Sequence, residues 1–240
     1  MSTALSGDPV EGHTLRAVDH ALGSLRLSTI VLGSLVIDQL SGAIRALLTA
    51  DRDLAEEVSR REVQVNALSA RVDHQVFECI ALRQLVASDL RLARAITRIV
   101  VELERVGDEA KKLARLAARM DAGLHAQPVQ LAAGHLRHMA ELVTTMLREA
   151  LRGLDEADLD LVAGVARQDA DVDGEFGATL RLLLTRVLEG RPYWGAVIET
   201  VLAAKGLERI GDHAKNIAEQ VRYYLAGDTL VTAVAPLDLL

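Results

Sequence analysis

The sequence predicts an all-α protein made of two tandem antiparallel three-helix bundles, six helices in all, packed side by side. Half of the 240 residues are hydrophobic but only 2% are aromatic, so the core must consist of aliphatic side chains and alanine, which favours packed helices. No proline lies between Pro9 and Pro128, and apolar residues recur at helical spacing. An internal repeat, described below, is the third indication.

Six helices follow from this periodicity and from the residues that interrupt it. Between Leu90 and Met120, apolar residues keep to one stripe and charged residues occupy the rest, as in an amphipathic helix. Capping and turn-forming residues break the pattern near 50, 87–89, 120–128, 155 and 192. The predicted helices are 13–49, 52–83, 88–120, 129–153, 156–189 and 192–226. We expect the ends, 1–12 and 228–240, to be flexible.

The third helix of each half carries nearly the same twelve residues. LERVGDEAKKLA starts at Leu103 and LERIGDHAKNIA at Leu207, an offset of 104 residues (207 minus 103). A single helical hairpin buries too little surface to be stable alone, so a duplicated three-helix unit is the economical architecture. We therefore expect one repeat at 13–122 and a second at 128–227.

Charge and cysteine content exclude several classes of protein. The 27 basic and 34 acidic residues give a net charge of −7, which disfavours nucleic acid or an anionic membrane as a partner. Cys79 is the only cysteine, which excludes an internal disulfide and suits a reducing compartment. No signal peptide is evident. The apolar run Ile30–Ile37 is far shorter than the roughly 20 residues of a membrane span, so we expect a cytoplasmic protein.

The repeated motif places two carboxylates on one helix face. Glu104 and Asp108, and likewise Glu208 and Asp212, are four residues apart, with Cβ atoms about 6 Å apart. Like charges at this spacing repel, whereas a divalent cation between them turns the repulsion into attraction. Carboxylate ligands suit Mg²⁺ or Mn²⁺, and high-spin iron is compatible with them. The motif therefore predicts a metal site. No base or nucleophile accompanies the carboxylates, so we expect no catalytic residues.

Each motif also contains a glycine, Gly107 or Gly211, which costs about 1 kcal/mol in a helix interior. A neighbouring helix that approaches closely would explain it. The alternative is an ordinary charged surface, because lysines at positions 111, 112, 205 and 215 are able to pair with the acids. Nothing in such a surface requires the motif and its glycine to recur.

Further acids precede the second motif. Asp169 and Asp173 form another pair four residues apart on the preceding helix, and an antiparallel neighbour would bring them to the motif. The corresponding place in the first half offers Glu62 and Asn66, a weaker ligand set. We therefore expect the second cluster to be the firmer one.

Four features of the sequence resemble the PhoU family, the accessory regulators of phosphate-specific transport. They are LERIGDHAKNIAE from Leu207, the upstream DADVD from Asp169, the Asp89-Leu90-Arg91 segment and the two-copy layout. The resemblance covers roughly 13–226 and implies paired three-helix bundles that bind multinuclear metal clusters. The implied metal ligands in this sequence are Glu104, Asp108, Asp169, Asp173, Glu208 and Asp212.

The resemblance also implies a non-enzymatic negative regulator of phosphate uptake and phosphate-starvation signalling. Its partners would be the ATPase subunit of a phosphate transporter and a sensor histidine kinase, so that it reaches the membrane only through them, and a homodimer is expected. Departures from the family pattern lie in the first repeat, where Glu109 and Lys112 replace His213 and Asn216 and where Asn66 replaces an acid. Two alternatives stay open: a metal-free helical scaffold or adaptor, and a metal-dependent hydrolase.

The other polar residues of interest have simpler interpretations. His213 adjoins Asp212 but points about 100° away around the helix, so we expect it to form an inter-helix hydrogen bond. Arg105 and Arg209 are expected to pair with carboxylates across helices and so to hold the acids in place. His135 and His138 are placed to chelate, but the sequence supplies no third ligand, which favours a polar helix face.

Overall fold

A computed structural model describes residues 9–82, 85–119, 126–189 and 194–227, apart from the side chains of 9–16, 126 and 127, and these ranges form six α-helices without a strand. In chain order they are α1 (Pro9–Thr49), α2 (Arg52–Leu82), α3 (Ala87–Arg119), α4 (Ala126–Glu156), α5 (Leu159–Leu188) and α6 (Trp194–Ala226). The all-α class with six helices is therefore confirmed.

Two helices are longer than their sequence patterns indicate. α1 starts at Pro9 rather than 13, and α4 covers 126–156 rather than 129–153. Pro9 and Pro128 both lie in a first helical turn, where a missing N–H breaks no hydrogen bond. The segments 1–8, 120–125, 190–193 and 228–240 lie outside the described residues, so the flexibility of the two ends stays a prediction.

The two repeats use the same turn between their first and second helices. Ala50 and Ala157 both have a positive φ, 52° and 55°, and each precedes an aspartate. Asp51 accepts a hydrogen bond from the Leu54 N–H at 3.0 Å, and Asp158 caps the start of α5 in the same way. Aspartate at this position satisfies backbone N–H groups that the helix leaves unpaired.

Four helices form the centre and two flank it. α2 packs on α1 and α3, while α5 packs on α4 and α6. The repeats meet where α3 contacts α6 and where α1 contacts α4. One continuous cluster of buried aliphatic residues fills the spaces, with Leu32, Ile99, Leu103, Met146 and Ile210 completely buried. The side-by-side packing of two three-helix units is as the sequence predicts.

The buried faces of α2 and α5 are copies of each other. Glu62 corresponds to Asp169 at an offset of 107 residues (169 minus 62), and both are buried within otherwise apolar faces. The same offset relates the remaining buried pairs, namely Ala55 and Val162, Val58 and Val165, Val65 and Val172, Val72 and Thr179, and Val76 and Leu183. Each outer helix therefore presents one buried acid to the interior of its repeat.

α1 is more apolar than the short run Ile30–Ile37 indicates. Its segment Ala17–Thr49 is long and apolar enough, by length and composition, to cross a membrane. However, 44% of its most apolar window is buried inside the bundle, and core helices of soluble proteins have the same character. Packing against α2, α3 and α4 thus accounts for part of its hydropathy.

Candidate metal centre

The structure brings the acids of α5 to the motif of α6. Asp169 is 9% exposed, and its Oδ2 accepts a hydrogen bond from Lys215 Nζ on α6 at 2.6 Å. Asp173, one turn further along α5, and Asp212 on α6 are exposed. The predicted approach of the two acid pairs is therefore present, with Lys215 joining the helices.

These carboxylates affect one another electrostatically. Although the side chain of Asp212 is exposed, partial desolvation raises its pKa, and the negative charges of Glu208, Asp169 and Asp173 raise that pKa further. Lys205 opposes this effect and lowers the pKa. Because all three other acids act on Asp212, the four form one electronegative cluster, which we call the second-repeat cluster.

Glu208 has one oxygen without a partner. Lys205 Nζ donates a hydrogen bond to Glu208 Oε1, while Oε2 is buried and accepts no hydrogen bond from the described part of the chain. A buried carboxylate oxygen left unpaired is unfavourable by about 1–3 kcal/mol or more. Glu208 Oε2 is therefore a suitable donor for a cation.

The first repeat is arranged differently. Glu104 and Asp108 are both exposed on α3, and Asn66 on α2 is exposed. Glu62 is 2% exposed, and Gln39 Nε2 on α1 donates a hydrogen bond to its Oε2 at 2.7 Å. The buried acid of α2 is thus already held by a neutral amide.

Gln39 is a residue that sequence reasoning missed. Its equivalent in the second repeat at the 107-residue offset is Met146, and the side chains of both are fully buried. A glutamine within the apolar stripe of α1 is the signal that was available, because a buried amide requires a hydrogen-bonding partner. Glu62 is that partner.

The two motif glycines face different surroundings. A Cβ added to Gly107 would lie 3.2 Å from Gln39 Oε1, 3.3 Å from Glu62 Oε2 and 3.3 Å from Val65 Cγ1. A Cβ added to Gly211 would come no nearer than 3.4 Å to Val172 Cγ1, which is ordinary van der Waals contact. Close helix approach therefore explains Gly107, whereas the packing around Gly211 leaves room for a methyl group.

His213 forms the expected inter-helix hydrogen bond. Its Nδ1 lies 2.7 Å from Glu102 Oε2 on α3, and Asn216 Nδ2 donates to the same oxygen at 3.2 Å. This contact joins the two repeats. Sequence reasoning did not identify Glu102, which does not belong to either motif acid pair.

The motif arginines do not hold the motif acids in the way that the sequence suggested. Arg105 pairs with Glu102 on its own helix at 2.8 Å. Arg209 reaches across the repeat junction to Glu109, with 3.5 Å between Nη1 and Oε1. Both therefore pair with carboxylates outside the motif acid pairs, and only Arg209 makes the expected pairing across helices. The two arginines lie beside a polar groove between α3 and α6. The groove is lined by Arg105, Asp108, Glu109, Lys112, Arg209, Asp212 and His213.

The donor set of the second-repeat cluster suits a hard divalent cation, because it consists of carboxylate oxygens. Across the described ranges, no three side chains of His, Cys, Asp or Glu already surround a common ion position. Lys205 and Lys215 hold Glu208 and Asp169, so an ion would have to displace these two ammonium groups. An ion that binds Glu208 Oε2 would displace no ammonium group from that oxygen, which accepts no hydrogen bond from the described residues.

The fold and the site together define a class: a six-helix protein made of two homologous repeats, with an acidic motif on the third helix of each. The PhoU domain model matches residues 30–117 and 136–221. The chain therefore belongs to the PhoU family, which confirms the resemblance drawn from the motifs.

Individual relatives support this assignment over most of the chain. A phosphate-specific transport system accessory protein PhoU homolog from Pseudomonas aeruginosa is 36% identical over 93% of this chain and 91% of its own length. The PhoU accessory protein of Escherichia coli is 35% identical over 86% and 84%. The crystal structure of PhoU from Pseudomonas aeruginosa matches with a TM-score of 0.79 and covers 88% of this chain and 99% of its own.

The different environments of the two motif glycines predict different responses to alanine. Gly211→Ala should raise the free energy of unfolding by up to about 1 kcal/mol, since alanine favours the helix. Gly107→Ala should be at least about 1 kcal/mol less stable than Gly211→Ala, because its methyl group crowds the buried Gln39–Glu62 pair. Urea unfolding measures both values.

Gly134→Ala is the control for helix propensity, because nothing lies within 4 Å of its added Cβ. Equal changes in the free energy of unfolding for Gly107→Ala and Gly211→Ala would show that close helix approach does not explain Gly107.

The raised pKa of Asp212 predicts a pH-dependent effect in metal-free protein. The pKa of Asp212 in the folded state lies above its unfolded value of 3.8. The folded state is therefore favoured while Asp212 is protonated, and this stabilisation is lost as the pH rises through the folded-state pKa. Asp212→Asn should therefore unfold at higher urea than the parent at pH 7, by a few tenths of a kcal/mol. At pH 3 the difference should vanish. An unchanged difference between pH 3 and pH 7 would contradict the shift.

Proposed function

We propose that this protein is a cytoplasmic, non-enzymatic negative regulator of phosphate uptake and of phosphate-starvation (Pho regulon) signalling. The observation that carries the proposal is the match of both repeats to the PhoU domain. Relatives of nearly equal length are named accessory proteins of phosphate-specific transport, which supports action on a transporter rather than catalysis.

The protein would act by contact. Its proposed partners are the ATPase subunit of a phosphate transporter and a sensor histidine kinase, so that it meets the membrane only through them. Exposed apolar side chains at the ends of α5 and α6 are available for such contacts or for a homodimer, namely Leu184, Leu188, Trp194 and Ile198. The net charge of −7 disfavours nucleic acid as a further partner.

Metal binding is the second part of the proposal. Asp169, Asp173, Glu208 and Asp212 would hold Mg²⁺, Mn²⁺ or iron in the second repeat, supported by the raised pKa of Asp212 and the unpaired Glu208 Oε2. A bound ion would neutralise the mutual repulsion of these carboxylates. In the first repeat Glu104 and Asp108 would be the ligands, and Gln39 holds only Oε2 of the nearby Glu62.

A metal-free scaffold is the second candidate, and one observation favours it. Lys205 and Lys215 already supply positive charge to Glu208 and Asp169. In that case the acids would serve as a docking surface, and the lysines would replace the ion. Partner binding would then be independent of metal.

Elemental analysis and Mn²⁺ titration of the purified protein distinguish these two candidates. Glu208→Gln/Asp212→Asn should lose the tightly bound metal or weaken Mn²⁺ binding at least about tenfold, because it removes two carboxylate ligands while keeping side-chain shape. Glu104→Gln/Asp108→Asn makes the same change in the first repeat and should lose less metal, because only two exposed acids are proposed as ligands there. Equal metal content in the parent and the second-repeat variant would favour the scaffold.

The regulatory role is tested in the source cell. Deleting the gene should raise alkaline phosphatase activity in high phosphate and alter phosphate uptake, since a negative regulator has been removed. Re-expression of the parent chain should restore both. Repressed phosphatase together with unchanged uptake in the deletion strain would contradict the proposed role.

A further inference from the structure

A second group of metal-ligand side chains lies on α4 and α5, away from the acid motifs. His135 Nδ1 lies 2.6 Å from Glu175 Oε2, and His138 Nε2 lies 4.0 Å from Glu175 Oε1. The two histidines are three residues apart and therefore share one face of α4. Glu175 comes from the neighbouring helix, so the third ligand that the sequence did not supply is provided by the fold.

We propose that His135, His138 and Glu175 bind a divalent transition-metal ion such as Zn²⁺, distinct from the second-repeat cluster. Two imidazole nitrogens and one carboxylate oxygen are a ligand set preferred by Zn²⁺, Ni²⁺ and Cu²⁺ rather than by Mg²⁺. A fourth position would be left to water.

Two separations bear on whether one ion fits, and they end on different oxygens of Glu175. Ligands about 2.1 Å from a tetrahedral Zn²⁺ lie about 3.4 Å from one another. The observed distances of 2.6 Å and 4.0 Å lie on either side of this value. Within the described residues the three groups do not surround a common ion position, so the proposed site requires rotation of the His138 and Glu175 side chains.

The site is open to solvent and separate from the acid motif. The side chains of His135, His138 and Glu175 are 37%, 54% and 27% exposed, so an ion reaches them without unfolding the bundle. Glu175 follows Asp173 by two residues, which places it about 200° around α5. It therefore faces α4, whereas Asp169 faces α6 through Lys215.

The first repeat shows that packing alone does not require these three residues. At the 107-residue offset that relates α1 and α2 to α4 and α5, the equivalent positions are Ser28, Val31 and Leu68. Exposed ion pairs add only about 0–1 kcal/mol to stability. His138 Nδ1 also lies 4.0 Å from Glu141 Oε2 on its own helix. A shared ligand nevertheless explains the approach of both histidines to Glu175 better than so small a gain in stability does.

Zn²⁺ titration of the whole 240-residue chain, stripped of metal, tests the proposal by calorimetry, and Co²⁺ absorption in the visible range reports tetrahedral coordination. His135→Ala/His138→Ala should weaken Zn²⁺ binding at least about tenfold and remove the Co²⁺ band. Glu175→Gln, which preserves shape, should weaken it in the same direction, and far-ultraviolet circular dichroism verifies that each variant is folded.

His74→Ala is the matched control, because His74 also lies beside a glutamate on a helix surface, 3.4 Å from Glu78, and its loss should leave Zn²⁺ binding unchanged. Glu208→Gln/Asp212→Asn should also keep the zinc site, so failure of the motif proposal and failure of this one are distinguishable. Equal Zn²⁺ affinity in the parent and the double-histidine variant, or zinc binding lost only in the motif variant, would overturn the inference.

Discussion

The packing of α3 and α6 against three neighbours each is the constraint on which the rest of the structure depends. α3 contacts α1, α2 and α6, and α6 contacts α3, α4 and α5. Close packing on so many sides favours small residues, and Gly107, Ala110 and Ala214 are all buried. Only a narrow strip of each helix is left for charged groups. The motif acids occupy these strips, which explains why Asp108 and Asp212 line one groove.

The two repeats have equivalent helices but complementary contact residues. Glu102 on α3 accepts hydrogen bonds at the repeat junction from His213 and Asn216. At the corresponding position 104 residues later, α6 has Gly206, whose added Cβ would meet Leu113 at 3.2 Å. A polar contact on one side of the junction and close apolar packing on the other favour one relative orientation of the repeats. The departures from internal symmetry therefore have a structural function.

Helical periodicity and the repeat were sufficient to predict the six helices, their grouping and the approach of α5 to the second motif, because these depend on apolar spacing. The partners of individual charges were not predictable in the same way. Lys215 is near Asp212 in sequence, yet it reaches Asp169 on α5. Glu62 was expected to form a weaker ligand set with Asn66, but it is buried and accepts a hydrogen bond from Gln39. Both outcomes depend on how each helix is rotated about its own axis relative to its neighbours. The apolar pattern of a single helix does not specify this rotation.

The apolar character of α1 has a consequence for biosynthesis. α1 leaves the ribosome before α2, α3 and α4, which cover its buried side chains, among them Leu32, Val36 and Leu40. Until then the nascent chain displays a helix with the length and composition of a membrane span. The first repeat is therefore able to enclose α1 only after α3, which ends at Arg119, has left the ribosome. A chain stalled earlier presents the surface that chaperones and targeting factors bind.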